Sequence, residues 1–288
     1  MKHFGLITTL IITLASFNAQ AQTARLYSSS DGLANSHIHD IFQDSKGFIW
    51  ISTENGLSRF DGLRFLNTSF DRSETNSIAS NTVRTVLEDS KGRFWVGTSA
   101  GLQTFNTDYN TYTKINLEDW GVPDSDQHIT KLMELTIGEE RKILAASSGH
   151  GIYILDADSY AIDHDSQNAI NRSLPSKFIS TIFKDSSNML WITTEAGGIS
   201  IIDLADFSSE PVIWNRSLAI ESGDIINTFA EDSQTGNILI GTQSYGMLVW
   251  DKAIGQIRRP KGKSNGNSSI MSIIPNNIAT RYGEHTFL

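Results

Sequence analysis

The chain has no cysteine, which removes disulfides, iron–sulfur clusters and cysteine zinc sites from consideration. Its stability in an oxidising compartment therefore comes from packing. It also lacks any long basic run: 23 Lys and Arg face 32 Asp and Glu, for a net charge of −9. An acidic surface repels phosphates, so no nucleic-acid partner is expected. No segment shows sustained helical periodicity. No G-x-S-x-G elbow, Gly-rich phosphate loop or convincing nucleophile constellation occurs. These absences point away from an enzyme, and no cofactor or metal is expected.

One apolar run is present, at the very start. Lys2 and His3 precede an apolar stretch at 4–17, followed by Asn18-Ala19-Gln20-Ala21. A short basic beginning, an apolar stretch of this length and an A-x-A site describe a secretory signal peptide cut between Ala21 and Gln22. The run is too short to cross a bilayer of ~30 Å comfortably. No other stretch could span a membrane. Export with cleavage leaves 22–288 as the folded part.

What fills the rest is a pattern recurring about every 45–50 residues, the kind of period that marks solenoids and propellers. It reads I-H-D-I-F-Q-D-S-K-G-F-I-W-I-S-T-E-N-G-L at 38–57 and V-R-T-V-L-E-D-S-K-G-R-F-W-V-G-T-S-A-G-L at 83–102. It returns at 179–199 and 226–247, with a worn copy at 129–152. In the second copy an apolar, β-branched run leads into Asp89-Ser90-Lys91-Gly92. Asp first and Gly fourth are type I turn preferences, and the carboxylate can accept from the backbone N–H two residues on. Phe94-Trp95-Val96 then reads as a strand covered on both faces. The turn at 99–101, a third strand and a fourth around 112–115 complete the unit. Asn55-Gly56 is the better hairpin dipeptide at the equivalent place in the first copy.

Four antiparallel strands per repeat, apolar on both sides, describe a propeller blade stacked between two others. The expected architecture is all-β: about five blades near 33–70, 78–116, 126–165, 174–215 and 221–258, with part of a sixth at 268–288. Five blades and a fragment leave apolar faces without neighbours, so the propeller is expected to be incomplete and the chain alone poorly folded or self-associating.

The repeated residues have structural readings. Asp44, Asp89, Asp185 and Asp232 hold the turn, with Leu135 in their place in the worn copy. Trp50, Trp95 and Trp191 share a packed position that Leu144 and Leu239 also occupy. Gly56, Gly101, Gly198 and Gly246 turn the second hairpin. Asn188 stands where Gly47 and Gly92 stand, as expected of a left-handed position that Asn tolerates.

The stretch at 44–62, with the preceding S-S-D-G-L-A-N-S-H-I-H-D-I at 29–41, resembles the two-component regulator propeller repeat. That repeat builds the periplasmic sensor region of hybrid two-component systems. The resemblance implies an extracytoplasmic ligand-sensing propeller segment, with oligosaccharide as ligand. It also implies the remainder of a histidine kinase, or a dimer mate, as partner. The kinase core and membrane helix of such proteins are absent from this chain, so no catalysis is expected of it. An exported propeller enzyme acting on polysaccharide and a stand-alone interaction scaffold remain the alternatives.

Ligand contacts are sought on non-repeating residues. Trp120, in the loop E-D-W-G-V-P-D-S-D-Q-H at 118–128, lies outside the repeat, and Arg84 on a first strand could face the channel. His37, His39 and Asp40 could be drawn as a metal cluster, but no third ligand stands at a matching spacing. His128 and His150, with Glu139 and Glu140, read as scattered.

Overall fold

The computed structural model describes residues 25–117, 127–211 and 225–260, together with the short pairs 281–282 and 285–286. Within these residues the chain forms consecutive small antiparallel sheets whose strands follow in sequence order, with no crossover inside a sheet. Blade one comprises β1 (Ile38–Gln43), β2 (Ile49–Thr53), β3 (Gly56–Phe60) and β4 (Phe65–Thr68). Blade two comprises β5 (Val83–Glu88), β6 (Phe94–Thr98), β7 (Gly101–Asn106) and β8 (Thr111–Lys114). Blade three holds β9 (Ile129–Ile137), β10 (Glu140–Ser147), β11 (Gly151–Asp156) and a helix, α1 (His164–Arg172). Blade four holds β12 (Ile179–Lys184), β13 (Met189–Thr194), β14 (Ile199–Asp203) and β15 (Ser209–Pro211). Blade five holds β16 (Ile226–Glu231), β17 (Ile238–Thr242), β18 (Met247–Asp251) and β19 (Gln256–Arg258). Of the expected sixth blade, only a hairpin of β20 (Arg281–Tyr282) and β21 (His285–Thr286) falls among the described residues.

The first strands of successive blades pack against one another, β1 on β5, β5 on β9, β9 on β12 and β12 on β16, so they form the hub. The blades fan outward from it, and the cores lie between them. Trp50 packs on Phe94 and Phe105 of blade two, with ring centroids 5.1 and 5.8 Å apart. Trp191 packs on Phe229 and Trp250 of blade five. Trp95 is fully buried with Ile129, Leu132, Ile143 and Tyr153 of blade three. Leu144 serves the same position in an all-aliphatic core shared with Ile179, Ile182 and Ile192 of blade four.

The repeated aspartate does more than turn the chain. Oδ1 of Asp89 accepts the backbone N–H of Lys91 and Arg93, both at 3.0 Å, while Oδ2 accepts the indole N–H of Trp95 at 3.1 Å. Asp44 with Trp50 and Asp185 with Trp191 repeat this arrangement, at 2.8 and 3.1 Å. The carboxylate thus satisfies a buried indole that would otherwise lack a partner, at a cost of about 1–3 kcal/mol. The fourth residue of each turn takes φ +87° at Gly47, +78° at Gly92 and +65° at Asn188. At Gly56 (φ +117°) a Cβ would also lie 2.6 Å from the Thr68 carbonyl oxygen, so that hairpin admits only glycine.

Blade three departs from the four-strand expectation. Its sheet has three strands, and a helix stands where the fourth was expected. Asp163 caps the helix, accepting from the Ser166 N–H at 3.1 Å. Gln167 and Asn171, one turn apart, aim their amides at the open edge of β11. The Gln167 side-chain oxygen accepts from Ile154 N–H at 3.2 Å, and Asn171 both accepts from Ile152 N–H and donates to its carbonyl, each at 2.9 Å. One helical turn rises about 5.4 Å and two strand residues about 6.8 Å, so amides at i and i+4 match alternate backbone groups of an edge strand. The segment is too short and polar to show helical periodicity, which is why the sequence reading missed it.

Candidate functional site

Every first strand carries the same irregularity near its start. The register with the second strand slips so that one residue is extra: His39, Arg84, Thr130, Ser180 and Asn227 in blades one to five. A bulge re-aims a side chain and ends regular pairing, and such features gather at rims and sites. Two residues earlier stand His37, Thr82, His128, Phe178 and Ile225. Their carbonyls accept the backbone N–H of Glu54, Ser99, Ser148, Glu195 and Gln243. One end of the hub is therefore built identically five times in backbone, with a different combination of side chains in each blade.

Between blades one and two these positions form a connected cluster. His39 Nε2 lies 2.6 Å from a Glu54 carboxylate oxygen, and Arg84 Nη1 lies 3.3 Å from His39 Nδ1. A guanidinium only donates, so Nδ1 is the acceptor and Nε2–H donates to Glu54, which makes His39 a neutral imidazole. Burial pushes the His39 pKa down and the Arg84 charge adds to this; the Glu54 hydrogen bond opposes without prevailing. Burial raises the Glu54 carboxyl, but hydrogen bonds from His39 and from Thr82 Oγ1 (3.1 Å) outweigh it and hold the group below its ordinary value. One level deeper, Asp40 accepts from Thr85 Oγ1 and from Lys131 Nζ, both at 2.8 Å, tying blades one, two and three across the hub.

Between blades three and four the same face opens into a cleft of about 390 Å³, lined by His128, Ser148, Gly149, His150 and Phe178. Phe178 is 49% exposed. Two imidazoles and a hydroxyl beside a half-exposed aromatic residue supply donors, acceptors and an apolar surface.

The sequence-derived candidates distribute unevenly over this face. Arg84 lies in the His39–Glu54 cluster. Trp120 and the Ala21–Gln22 bond lie outside the described residues. His37 and His39 stay together, with rings 4.9 Å apart, while Asp40 turns to Lys131. Among the described residues no group of three or more His, Cys, Asp or Glu is placed to hold a metal ion. His128 and His150, which looked scattered, line one cleft; Glu139 and Glu140 sit at the opposite end of their strands, where Glu140 pairs with Lys142. Ser148 and Phe178 were missed. Superposing the repeats on their strand starts would have found them, because His37, Thr82, His128 and Phe178 occupy one repeat position.

Blades built on a hub of first strands define a β-propeller. The model of the family described as two component regulator propeller matches residues 32–55, 77–100 and 173–196. The chain thus carries two-component regulator propeller repeats in its first, second and fourth blades. Those are the three blades in which the aspartate receives an indole N–H. A stretch of 69 residues is 32% identical to Histidine kinase P4 of Formosa agariphila, covering 23% of this chain and 5% of that protein.

Among solved structures, one is the extracellular domain described as belonging to a hybrid two component system of B. thetaiotaomicron. It aligns with a TM-score of 0.65 at 22% identity over 92% of this chain and 41% of the other. A second extracellular domain from that organism, described as a one component system, gives 0.60 at 15% identity over 92% and 41%. PorZ, a surface component of the type-IX secretion system of Porphyromonas gingivalis, gives 0.52 at 12% identity over 79% and 34%. At these identities the likeness is one of fold. The chain spans about two fifths of the two extracellular domains. Its propeller resembles the extracellular sensor regions of two-component systems. No helix among the described residues is long and apolar enough to cross a membrane.

Proposed function

We propose that this chain is the ligand-sensing propeller segment of a hybrid two-component sensor, exported by residues 1–21 and working in the periplasm. In this reading its ligand is an oligosaccharide, and the cleft between blades three and four receives one sugar ring. The observation that carries the proposal is the half-exposed aromatic residue Phe178 flanked by Ser148, His128 and His150. A pyranose face stacks on such a ring while its hydroxyls find the imidazoles and the serine. Occupancy is read out by rearrangement of the propeller against the rest of the sensor or a dimer mate. The chain itself does no chemistry in this scheme.

The test is an oligosaccharide array probed with the exported chain, followed by calorimetry on any ligand retained. Phe178→Ala should weaken binding about tenfold or more, equivalent to ~1.4 kcal/mol or more. An array with no ligand retained at millimolar concentration overturns the reading. So does a ligand held equally well by Phe178→Ala.

A further inference from the structure

Among the described residues, three of the four junctions between blades one to five are fastened in the same way, at the end of the hub opposite the cleft. Ser45 donates both its backbone N–H and its hydroxyl to the Glu88 carboxylate, at 2.6 and 2.7 Å. Ser90 does the same to Glu134, at 2.6 and 2.8 Å, and Ser186 to Glu231, at 2.8 and 2.7 Å. Each serine follows the turn aspartate of one blade; Glu88 and Glu231 end the next blade's first strand, and Glu134 holds the matching position within β9. The latch is bidentate and charge-assisted, so it fixes angle as well as distance. Cations reinforce two of them: Arg141 on Glu134 and Lys252 on Glu231.

The junction of blades three and four has neither half of this latch. Lys184 stands where Glu88, Glu134 and Glu231 stand. The turn of blade three is the two-residue hairpin Gly138-Glu139, with no serine and no aspartate. Hydrogen bonds that cross this junction gather at the cleft end instead. Gly149 N–H and Gly151 N–H both reach the Lys177 carbonyl, at 3.1 and 2.8 Å, Ser148 bridges to Phe178, and the Lys177 ammonium meets the Asn171 carbonyl at the end of α1. Between the two ends the contact is apolar, chiefly Leu135, Leu144 and Ala146 against Ile179, Ile182 and Ile192, with Met133, Ile137 and Phe207 packed against them. Apolar packing has no preferred direction and tolerates small sliding, unlike a bidentate carboxylate.

We infer that this junction is a hinge, pinned at the cleft and free at the opposite end, about which blades four and five move relative to blades one to three. The inference deepens the proposed function, because the moving joint borders the cleft. It stands or falls separately, since its test needs no ligand.

The absence of native cysteine allows clean pairwise spin labelling of the full chain. Glu139→Cys with Ser187→Cys spans the free end. Glu139→Cys with Lys91→Cys shares one label site but crosses the latched junction of blades two and three. His128→Cys with Ala196→Cys spans the pinned end. Pulsed dipolar distance distributions should be at least about twofold wider for the first pair than for the other two, as expected of a joint free at one end only. Equal widths for the two pairs sharing Glu139 would overturn the inference. A pinned-end distribution as wide as the free-end one would also overturn it, since the junction would then be loose rather than hinged.

Discussion

Blades two and three are neighbours with the same order of three inner strands, yet they settle their buried polar groups in different ways. Blade two buries a tryptophan and supplies a carboxylate for its N–H; Arg93 then pairs with that carboxylate at 2.7 Å. Blade three buries Leu144, has no indole to satisfy, and carries Leu135 where the carboxylate would sit. With no aspartate to turn the chain, β9 and β10 run on to nine and eight residues and close through Gly138-Glu139. Blade five shows an intermediate case. It keeps Asp232 but pairs it with Leu239, and the carboxylate serves only its own turn, accepting from Thr235 Oγ1 and Gln234 N–H. Aspartate and tryptophan therefore act as one device in blades one, two and four, while blade five keeps the aspartate for its turn alone.

The largest effect that would break the comparison is loss of the indole itself. Trp95→Ala should cost about 3–5 kcal/mol in urea unfolding, because the ring is fully buried. A sharper version converts blade two to the chemistry of blade three. Trp95→Leu removes the indole from Asp89, which keeps its turn N–H groups and Arg93, so Trp95→Leu and Asp89→Leu together should cost less than their sum, with a coupling of about 1–2 kcal/mol. Strict additivity in that cycle would show the two positions to be independent.

Next in size is the helix that replaces a strand. Asn171→Leu leaves the N–H and C=O of Ile152 without partners and should cost about 2–4 kcal/mol. Faster amide exchange at Ile152 and Ile154 would locate the damage on β11. An unchanged melt would mean that the edge finds other partners.

Acid should act on the two blades differently. Burial raises the Asp89 carboxyl, but hydrogen bonds from Trp95 and from Arg93 outweigh it and set the folded pKa below the ordinary value. Its stabilisation is therefore present above the unfolded carboxyl pKa of about 4 and is lost as pH falls through the lower folded value. The Trp95→Leu/Asp89→Leu chain should lose less stability than the native chain between neutral pH and acid, measured by urea titration at each pH. The smallest effect belongs to the latches. Ser186→Ala should cost less than about 1 kcal/mol because the pair is exposed, whereas Lys184→Ala, at the unlatched junction, should cost nothing measurable.

Much of this architecture could be read from the amino acids because each blade is specified locally. Turn aspartate, left-handed Gly or Asn, hairpin glycine and apolar strand runs lie within about 20 residues of one another, and each acts through the backbone nearby. The helix of blade three was not legible. Its reason to exist is an unpaired strand edge ten to twenty residues upstream, and Gln167 and Asn171 look like ordinary polar residues until that edge is in place. The cleft end of the hub was less legible: Arg84 could be placed on its strand, but His128 and His150 could not be joined. They are separated by a whole hairpin and meet only because a strand returns beside its neighbour.

The sequence alone determined the blade, its turns and the position of its buried tryptophan, since those are short-range matters of turn chemistry and hydrophobic period. Only the tertiary structure decided which blades are latched, which junction is left to apolar contact, and which side chains share a cleft. Those depend on residues about 45 apart in the chain being brought within hydrogen-bonding distance, and stacking alone brings them there.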